Sequence, residues 1–542
     1  MSGTQPLFLG LDLSTQQLKG VVISENSVVV YEAAVHYDKD LPQYETTNGA
    51  ILGPGDGEVT SPVQMWVDAL TLLVSRIKES GVDLSKIQAI SGAGQQHGSV
   101  YWSADAENLL ASLDPSQSLS EQLCPIAFSQ ARSPIWQDSS TSEECALLEK
   151  EAGGAQALTD LTGSRAYERF TGPQILKVYG KQPEVYAATA RISLVSSFVP
   201  SLFLGRIAEI EVSDASGMNL TDVFTGKWND QLLEACGGPE LRRKLGPEPV
   251  PGGEVLGSIS KWWVERWGFS PDCLIAPFTG DNPATVVALS APGDALLSLG
   301  TSTTLLLSVP PTGTPPKRFT TSHLLSHPTT LDAKIAMLCY KNGGLAREQI
   351  RDEYASKDWD RFNQLVESTQ PGNDGYLGFY FPLPEIIPPN VQGQLYFHHG
   401  TIVQDLEPSR QPRAILESQL LSILSRVEAI LPEHAPPLNR LILSGGASLN
   451  PAIQQLAADL FSMDAFVCET AQGAGMGGAL LAKYSWWKKR NGGGSFEQMM
   501  GNVAIGLRRV ASPRKEISSI YHSLVPRYRQ CEETVLQKLL VA

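Results

Sequence analysis

Apolar positions in Leu7–Ile23, LFLGLDLSTQQLKGVVI, predict two strands joined by a short polar turn that carries one carboxylate, Asp12. Ser14, Thr15 and Gln16 cluster at the bend between runs bounded by Gly10 and Gly20, so a hairpin is the simplest local structure. The same pattern returns at Ala295–Val309, where Gly300-Thr301-Ser302-Thr303 separates two apolar runs. Between the two, Val28–Tyr37 reads as a strand and Leu41–Val59 as a loop without periodicity. Ser61-Pro62 is expected to open a helix, as N-cap and first helical residue, with Val63, Trp66, Ala69, Leu70, Leu73 and Ile77 on one face. Ile87–Ser91 is a buried strand, and the alternation of strand and helix predicts an α/β layer architecture.

Ser91–Trp102 is a glycine-rich turn between strands, Ser142–Glu151 a helix, and Thr162–Ile175 a segment that brings Arg165 and Arg169 toward a turn before a helix at Pro173. Ser213–Leu220 reads as a small-residue turn with an aspartate. Leu274–Leu289 has the form strand, turn, helix, with Asn282 able to cap and Pro283 in the first turn. That places Asp281 at the carboxyl end of a strand, where open α/β sheets present ligands. Further on, Ala414–Leu431 is predicted as an amphipathic helix, and Arg440–Leu443 as a strand feeding Ser444-Gly445-Gly446-Ala447. Asn450-Pro451 then caps another helix, so bare backbone is offered where a nucleotide could lie. Asn491–Ser495 is a joint before a basic tail.

Composition narrows the function classes. A chain of 542 residues, 42% hydrophobic and 18% charged, with mean hydropathy −0.10, fits a soluble globular protein without a bilayer-length apolar run. Net charge of −15 argues against nucleic acid as a partner and gives ATP no long-range attraction. A phosphate site must then act locally, through amides, a few cations and a metal ion. Seven scattered cysteines, with no C-x-x-C pair, suit a reducing compartment and neither a disulfide framework nor a zinc site. Met1–Pro6 has no positive region, so a cytoplasmic location is expected.

The two bends are the first candidate for chemistry, because turn amides form anion-binding concavities and hydroxyls add donors. No Walker A motif is present: Gly180-Lys181 and Gly226-Lys227 are followed by Gln182 and Trp228. Gly473-Ala474-Gly475-Met476-Gly477-Gly478 has dinucleotide spacing, but roughly twenty residues on, where a ribose-binding acid at a second strand is expected, the chain gives Gly493 and Gly494, which favours tight helix packing through small residues. His97 reads either as an interior histidine or, beside Gln96, Gly94 and Gly98, as part of a polar pocket. Asp281 reads either as a helix cap or, with Asn282 capping in its place, as a carboxylate available for chemistry.

Together, GLDLSTQQLK from Gly10, SGAGQQHGSVYW from Ser91, WQDSST from Trp136, GSRAYERFTG from Gly163, SLVSSF from Ser193, FTGDNPA from Phe278, SLGTS from Ser298 and SGGAS from Ser444 resemble the FGGY carbohydrate kinases, over about residues 7 to 485. The resemblance implies an α/β fold of two actin-like, ribonuclease-H-like ATPase domains flanking a deep cleft. The implied division is a sugar-side domain over 1–285, a second domain over 286–490 and a C-terminal tail, a packed helix, over 491–542. It implies Asp281 as catalytic base, with His97, Arg169, Asp281 and Asn282 contacting sugar. Thr15, Gln16, Gly300, Thr301, Trp359, Gly445, Gly446, Ala447 and Asn450 are implied on the ATP side, and Asp12 as the Mg²⁺ ligand, directly or through water. The implied reaction is phosphorylation of D-xylulose by ATP with Mg²⁺. Ribulose or glycerol is the alternative acceptor, and an actin- or chaperone-like ATP-binding module the alternative class. No membrane partner is expected, and the expected state is a monomer or homodimer. One departure is Phe381–Gly393, FPLPEIIPPNVQG, where bacterial relatives carry a Gly-Glu-Arg-Thr-Pro loop.

Overall fold

Six of the seven residues in the Leu7–Leu13 strand are buried, so both of its faces are covered, as in a sheet with helices on either side. The computed structural model describes residues 5–309, 312–330, 332–468, 473–501 and 506–541; part of the expected tail, 502–505 and 542, lies outside these. Contacts divide the protein into two units. The first is Met1–Ala288, Leu324–Ala333 and Gln472–Val503; the second is Leu289–His323, Lys334–Ala471 and Ala504–Ala542.

In the first unit, Leu7–Leu13 pairs antiparallel with Gln17–Ser24 and parallel with Ile87–Gly94. Asp12 is the sixth residue of its strand, opposite Lys19, and so precedes the bend that was expected to carry it. The sheet continues outward through Val29–His36 on one side and through Leu274–Ile275 and Gly257–Ser258 on the other, with Thr279–Gly280 also pairing with Ile87–Gly94. Alternation of side chains puts Leu9, Leu11 and Leu13 into one core with Trp66, Leu70, Leu73 and Ile77 of the Val63–Glu79 helix. Gly10 points the other way, where a Cβ would overlap the backbone of Gly475 and Ala479.

The Val63–Glu79 helix starts one residue later than expected. Pro62 ends a short strand in extended conformation, and Ser61 donates its hydroxyl to Gly49 O at 2.6 Å, so it caps nothing.

The second unit repeats the local topology. Ala295–Leu299 pairs antiparallel with Thr303–Val309 and parallel with Arg440–Ser444. Its sheet runs from Lys334–Tyr340 through Thr303–Val309, Ala295–Leu299, Arg440–Ser444 and Asp464–Cys468 to Leu507–Ala511. The expected amphipathic helix is Gln411–Ile430, and it is buried nearly all round, because the Tyr376–Phe381 strand and four helices pack on it.

Two boundaries differ from the sequence reading. The Gly473–Asn491 helix, placed by sequence in the second domain, lies on the Leu7–Leu13 and Ile87–Gly94 strands of the first unit, because its glycines permit backbone contact there. The tail holds the expected packed helix and, before it, an edge strand that the sequence reading did not place. Leu507–Ala511 adds an edge strand to Asp464–Cys468, and the Lys515–Leu539 helix packs on Gln411–Ile430 and Pro451–Phe461. Among the described residues, no helix is long and apolar enough to cross a membrane.

Candidate active site

Asp281 is the first residue of the Asp281–Leu289 helix, immediately after the Thr279–Gly280 strand. Its Oδ1 accepts from the Asn282 backbone N–H at 2.8 Å and from Asn282 Nδ2 at 3.2 Å. The expectation that Asn282 caps and leaves Asp281 uncommitted is therefore corrected: the aspartate takes the local amide, and Asn282 reaches outward to donate to Gln96 Oε1 at 2.9 Å. The hydrogen bonds described for Asp281 as acceptor all engage Oδ1, and none is described for Oδ2. Burial, and then the charge of Asp12, push the Asp281 carboxyl up to about 7. Asp281 and Asp12 are thus near enough for the charge of one to act on the other.

Asp12 is buried, accepts from Ser14 Oγ at 2.7 Å and has Lys19 Nζ 3.9 Å from its Oδ2. Burial raises its carboxyl; the Ser14 hydroxyl and the Lys19 charge oppose the rise. In the following bend, Thr15 Oγ1 accepts from the indole of Trp136 at 2.7 Å and Gln16 is exposed.

His97 occupies the left-handed region at φ 74°, uncommon for a residue other than glycine. The surrounding contacts fix it there. Its Nδ1 lies 3.0 Å from Gly217 O, its carbonyl accepts from Thr171 Oγ1 at 3.0 Å, and its ring stacks on Phe170 at 4.4 Å. Arg169 places its guanidinium over Tyr167 and Phe170, 5.2 and 5.9 Å from the ring centres. His97 and Arg169 therefore share one aromatic support.

Behind these residues is a network that sequence reasoning missed. Gln96 Nε2 donates to Asp214 Oδ1 at 3.3 Å, Ser196 Oγ donates to Asp214 Oδ2 at 2.6 Å, and the Asp214 amide donates to Glu211 Oε2 at 3.0 Å. Thr279, two residues before Asp281, donates its hydroxyl to the same Glu211 oxygen at 2.6 Å. Burial pushes Glu211 up to about 8 and Asp214 up to about 6. The only signal for it in the sequence is the aspartate within the Ser213–Leu220 turn.

In the second unit, a cavity of about 570 Å³ is lined by Gly300, Thr301, Trp359, Gly446, Ala447 and Asn450 of the expected ATP-side residues. Gly445, at φ 82°, does not line it but lies against Leu299 and Gly300, where a Cβ would collide with the backbone. Asn450 caps the Pro451–Phe461 helix, accepting from Ala452 N and Ile453 N at 3.0 and 3.2 Å. Trp359 packs edge-on against Phe362, with the Arg351 guanidinium 4.8 Å from its ring. Gly344, Arg347 and Asn363 also line the cavity and were not anticipated.

Comparison with known proteins identifies the family. Residues 131–288 match the N-terminal domain, and residues 295–486 the C-terminal domain, of the FGGY family of carbohydrate kinases. The chain is 43% identical over 541 residues to the xylulose kinase of Rattus norvegicus, spanning 98% of this chain and 97% of that protein. A ligand-bound xylulose kinase and a gluconate kinase, both from Lactobacillus acidophilus, each share its fold with TM-score 0.78 at 16% identity, over 98% and 99% of this chain respectively and 99% of each of theirs. Equal likeness to kinases named for different acceptors means that the backbone alone does not select the sugar. The architecture is the expected α/β pair of actin-like domains. By both domain matches and a near full-length relative, the chain belongs to the FGGY family of carbohydrate kinases.

Proposed function

We propose that this protein transfers the γ-phosphoryl group of ATP to a primary hydroxyl of D-xylulose in its open, acyclic form, giving D-xylulose 5-phosphate, and does so in the cytoplasm. The near full-length likeness to a xylulose kinase supports the acceptor. The observation that carries the chemistry is Asp281, a carboxyl raised to about 7 beside a second carboxylate at the end of a strand. A general base works best with a pKa near the operating pH, and this one takes the hydroxyl proton as the oxygen attacks phosphorus. Asn282, held by Gln96, fixes the rotation of Asp281, while His97 and Arg169 orient the sugar from their shared Phe170 support. The cavity beside Gly300 and Thr301 takes the nucleotide, with Trp359 and Asn450 at the base end.

Mg²⁺ keeps most of its waters and is held by one or two carboxylates together with substrate phosphates. Asp12, with Asp281 near it, meets that sparse demand, although no cluster of three or more His, Cys, Asp or Glu occurs among the described residues. Bound there, the ion would supply neutralisation of phosphate charge, the main requirement of phosphoryl transfer. ADP release measured against D-xylulose, ribulose, fuculose, glycerol and gluconate tests the proposal. D-xylulose should give the highest kcat/KM by about tenfold or more; a higher value for any other acceptor, or ATP turnover indifferent to all of them, refutes it.

A further inference from the structure

Arg347 sits in the wall of the second unit's cavity, next to Gly300 and Thr301, and is 2% exposed. Every hydrogen bond described for its guanidinium ends on a neutral oxygen. Nη1 donates to Gln419 Oε1 at 2.8 Å and to Thr303 Oγ1 at 3.4 Å, and Nη2 to Gly300 O at 3.4 Å. Among the described residues, the Nε–H is buried without a partner. Glu348, the next residue, is exposed, lines the same cavity and acts on it as a charge, with no hydrogen bond between them described. A buried cation without a bonded anion is strongly unfavourable, which makes this guanidinium a costly element of the cavity wall until an anion pairs with it. Burial accordingly pushes the guanidinium down to about 10.

The surroundings say what kind of anion would complete it. Gly344 begins the eleven-residue Gly344–Tyr354 helix that carries Arg347, and its N–H donates to Gly300 O and Thr301 O at 3.0 and 2.8 Å. The helix start, the Gly300–Thr303 bend and the guanidinium are therefore one fixed block, with the positive end of a helix dipole beside a full charge. The same cavity is lined by Trp359, Pro451 and Ile453, aromatic and apolar, and also by the acids Glu348 and Asp360. A ligand that matches the guanidinium and the apolar lining has a flat, weakly polar ring and an anionic tail.

We propose that Arg347 is the fixed cation that holds the anionic tail of a nucleoside di- or triphosphate in this cavity, so that affinity rises with the number of phosphates. The inference rests on the reading of the cavity as the nucleotide site. Its test uses the full-length protein without any sugar, so an error about the acceptor leaves the result untouched. Affinities for ADP and adenosine are measured by calorimetry for the wild type, R347Q, which keeps an amide donor, and R347K, which keeps the charge. The wild type should prefer ADP to adenosine. R347Q should lose about 10- to 100-fold in ADP affinity, the usual range for a charge-assisted hydrogen bond, and stay within about twofold for adenosine. R347K should keep most of the preference.

Equal losses for ADP and adenosine in R347Q would make Arg347 a structural residue only and overturn the inference, as would an unchanged ADP preference. A wild type that does not prefer ADP overturns the nucleotide reading, and the inference with it. If R347Q does not fold, the salt dependence of ADP affinity in the wild type and R347K decides. A clear fall from low to high KCl supports the fixed charge, and no fall overturns it.

Discussion

Replacing Asp281 by asparagine separates what its carboxyl does for chemistry from what it does to the fold. The amide is isosteric, and its Oδ1 can still accept from the Asn282 N–H, which now lies 2.8 Å from the aspartate oxygen. Local structure is therefore kept while the proton acceptor is lost, and turnover of D-xylulose should fall by about 10²–10⁴-fold, the usual worth of general-base catalysis. Nucleotide affinity should not change, because the cavity of the second unit is built from other elements. Stability should move the opposite way. In the folded protein Asp281 titrates at about 7, against 3.8 as the ordinary value. Its contribution is thus fully present below about pH 4 and is lost as pH rises through 7, where the folded protein must carry an ionised, largely enclosed carboxylate. At about 1.4 kcal/mol per pKa unit this displacement sets a ceiling on the order of 4 kcal/mol, and the residue's partial exposure keeps the effect below it. Asp281→Asn should then unfold at a higher temperature than the wild type at pH 8 and at the same temperature near pH 4. Thermal unfolding at both pH values, beside ADP release with saturating D-xylulose, makes the check. Near-normal turnover would remove the base, and a stability change of equal size at both pH values would show that the carboxyl's burial has been misjudged.

Two further outcomes follow from neighbouring carboxyls. The wild-type kcat/KM should rise with pH to half its plateau near 7, and Asp12→Asn should move this acid limb to lower pH, since the Asp12 charge helps to raise Asp281; the same variant should need more Mg²⁺ for half-maximal rate, and an unmoved limb would deny the coupling. Glu211, pushed up to about 8 from 4.5 by burial, contributes stability that is full below pH 4.5 and lost as pH rises through 8. Glu211→Gln should flatten the fall of the unfolding temperature between about pH 5 and 9, and parallel curves for variant and wild type would refute this.

The hairpins were legible because apolar runs, bounding glycines and hydroxyl-rich bends are local signals, and strands Leu7–Leu13, Gln17–Ser24, Ala295–Leu299 and Thr303–Val309 lie where those signals put them. Asp281 was legible too, through its place between a strand and a helix. What was not legible depended on distant packing. Glu211 and Asp214 lie more than a hundred residues from Gln96, and nothing near them in sequence marks an acid that will be fully enclosed. Arg347 falls within GLAREQIRDEY, a run that reads as a solvated polar helix; only its position beside the buried Ala346 and Ile350 turns it inward. The choice between Asp281 and Asn282 as local acceptor was open for a similar reason, because the Gln96 amide that draws Asn282 away arrives from another strand's end.

The Gly473–Asn491 helix connects these points into one physical requirement. Its sequence reads as small-residue packing, and the structure shows what the small residues permit: a Cβ at Gly477 would overlap Ala284 O, and one at Gly478 would lie 2.5 Å from the Gly92 Cα. Ala284 belongs to the helix that begins with Asp281, Gly92 to the strand that ends just before Gln95 and Gln96, and Gly10, two residues before Asp12, meets Gly475 and Ala479 of the same helix. One helix therefore sets the spacing of the Asp281 helix, the Gln96 turn and the Asp12 strand at once. Backbone packed this closely leaves little room for adjustment, since interiors at crystal-like density transmit displacement instead of absorbing it. Two carboxylates near enough for one to raise the other keep that coupling only at a fixed spacing, and a segment far downstream of Asp281 in sequence provides it.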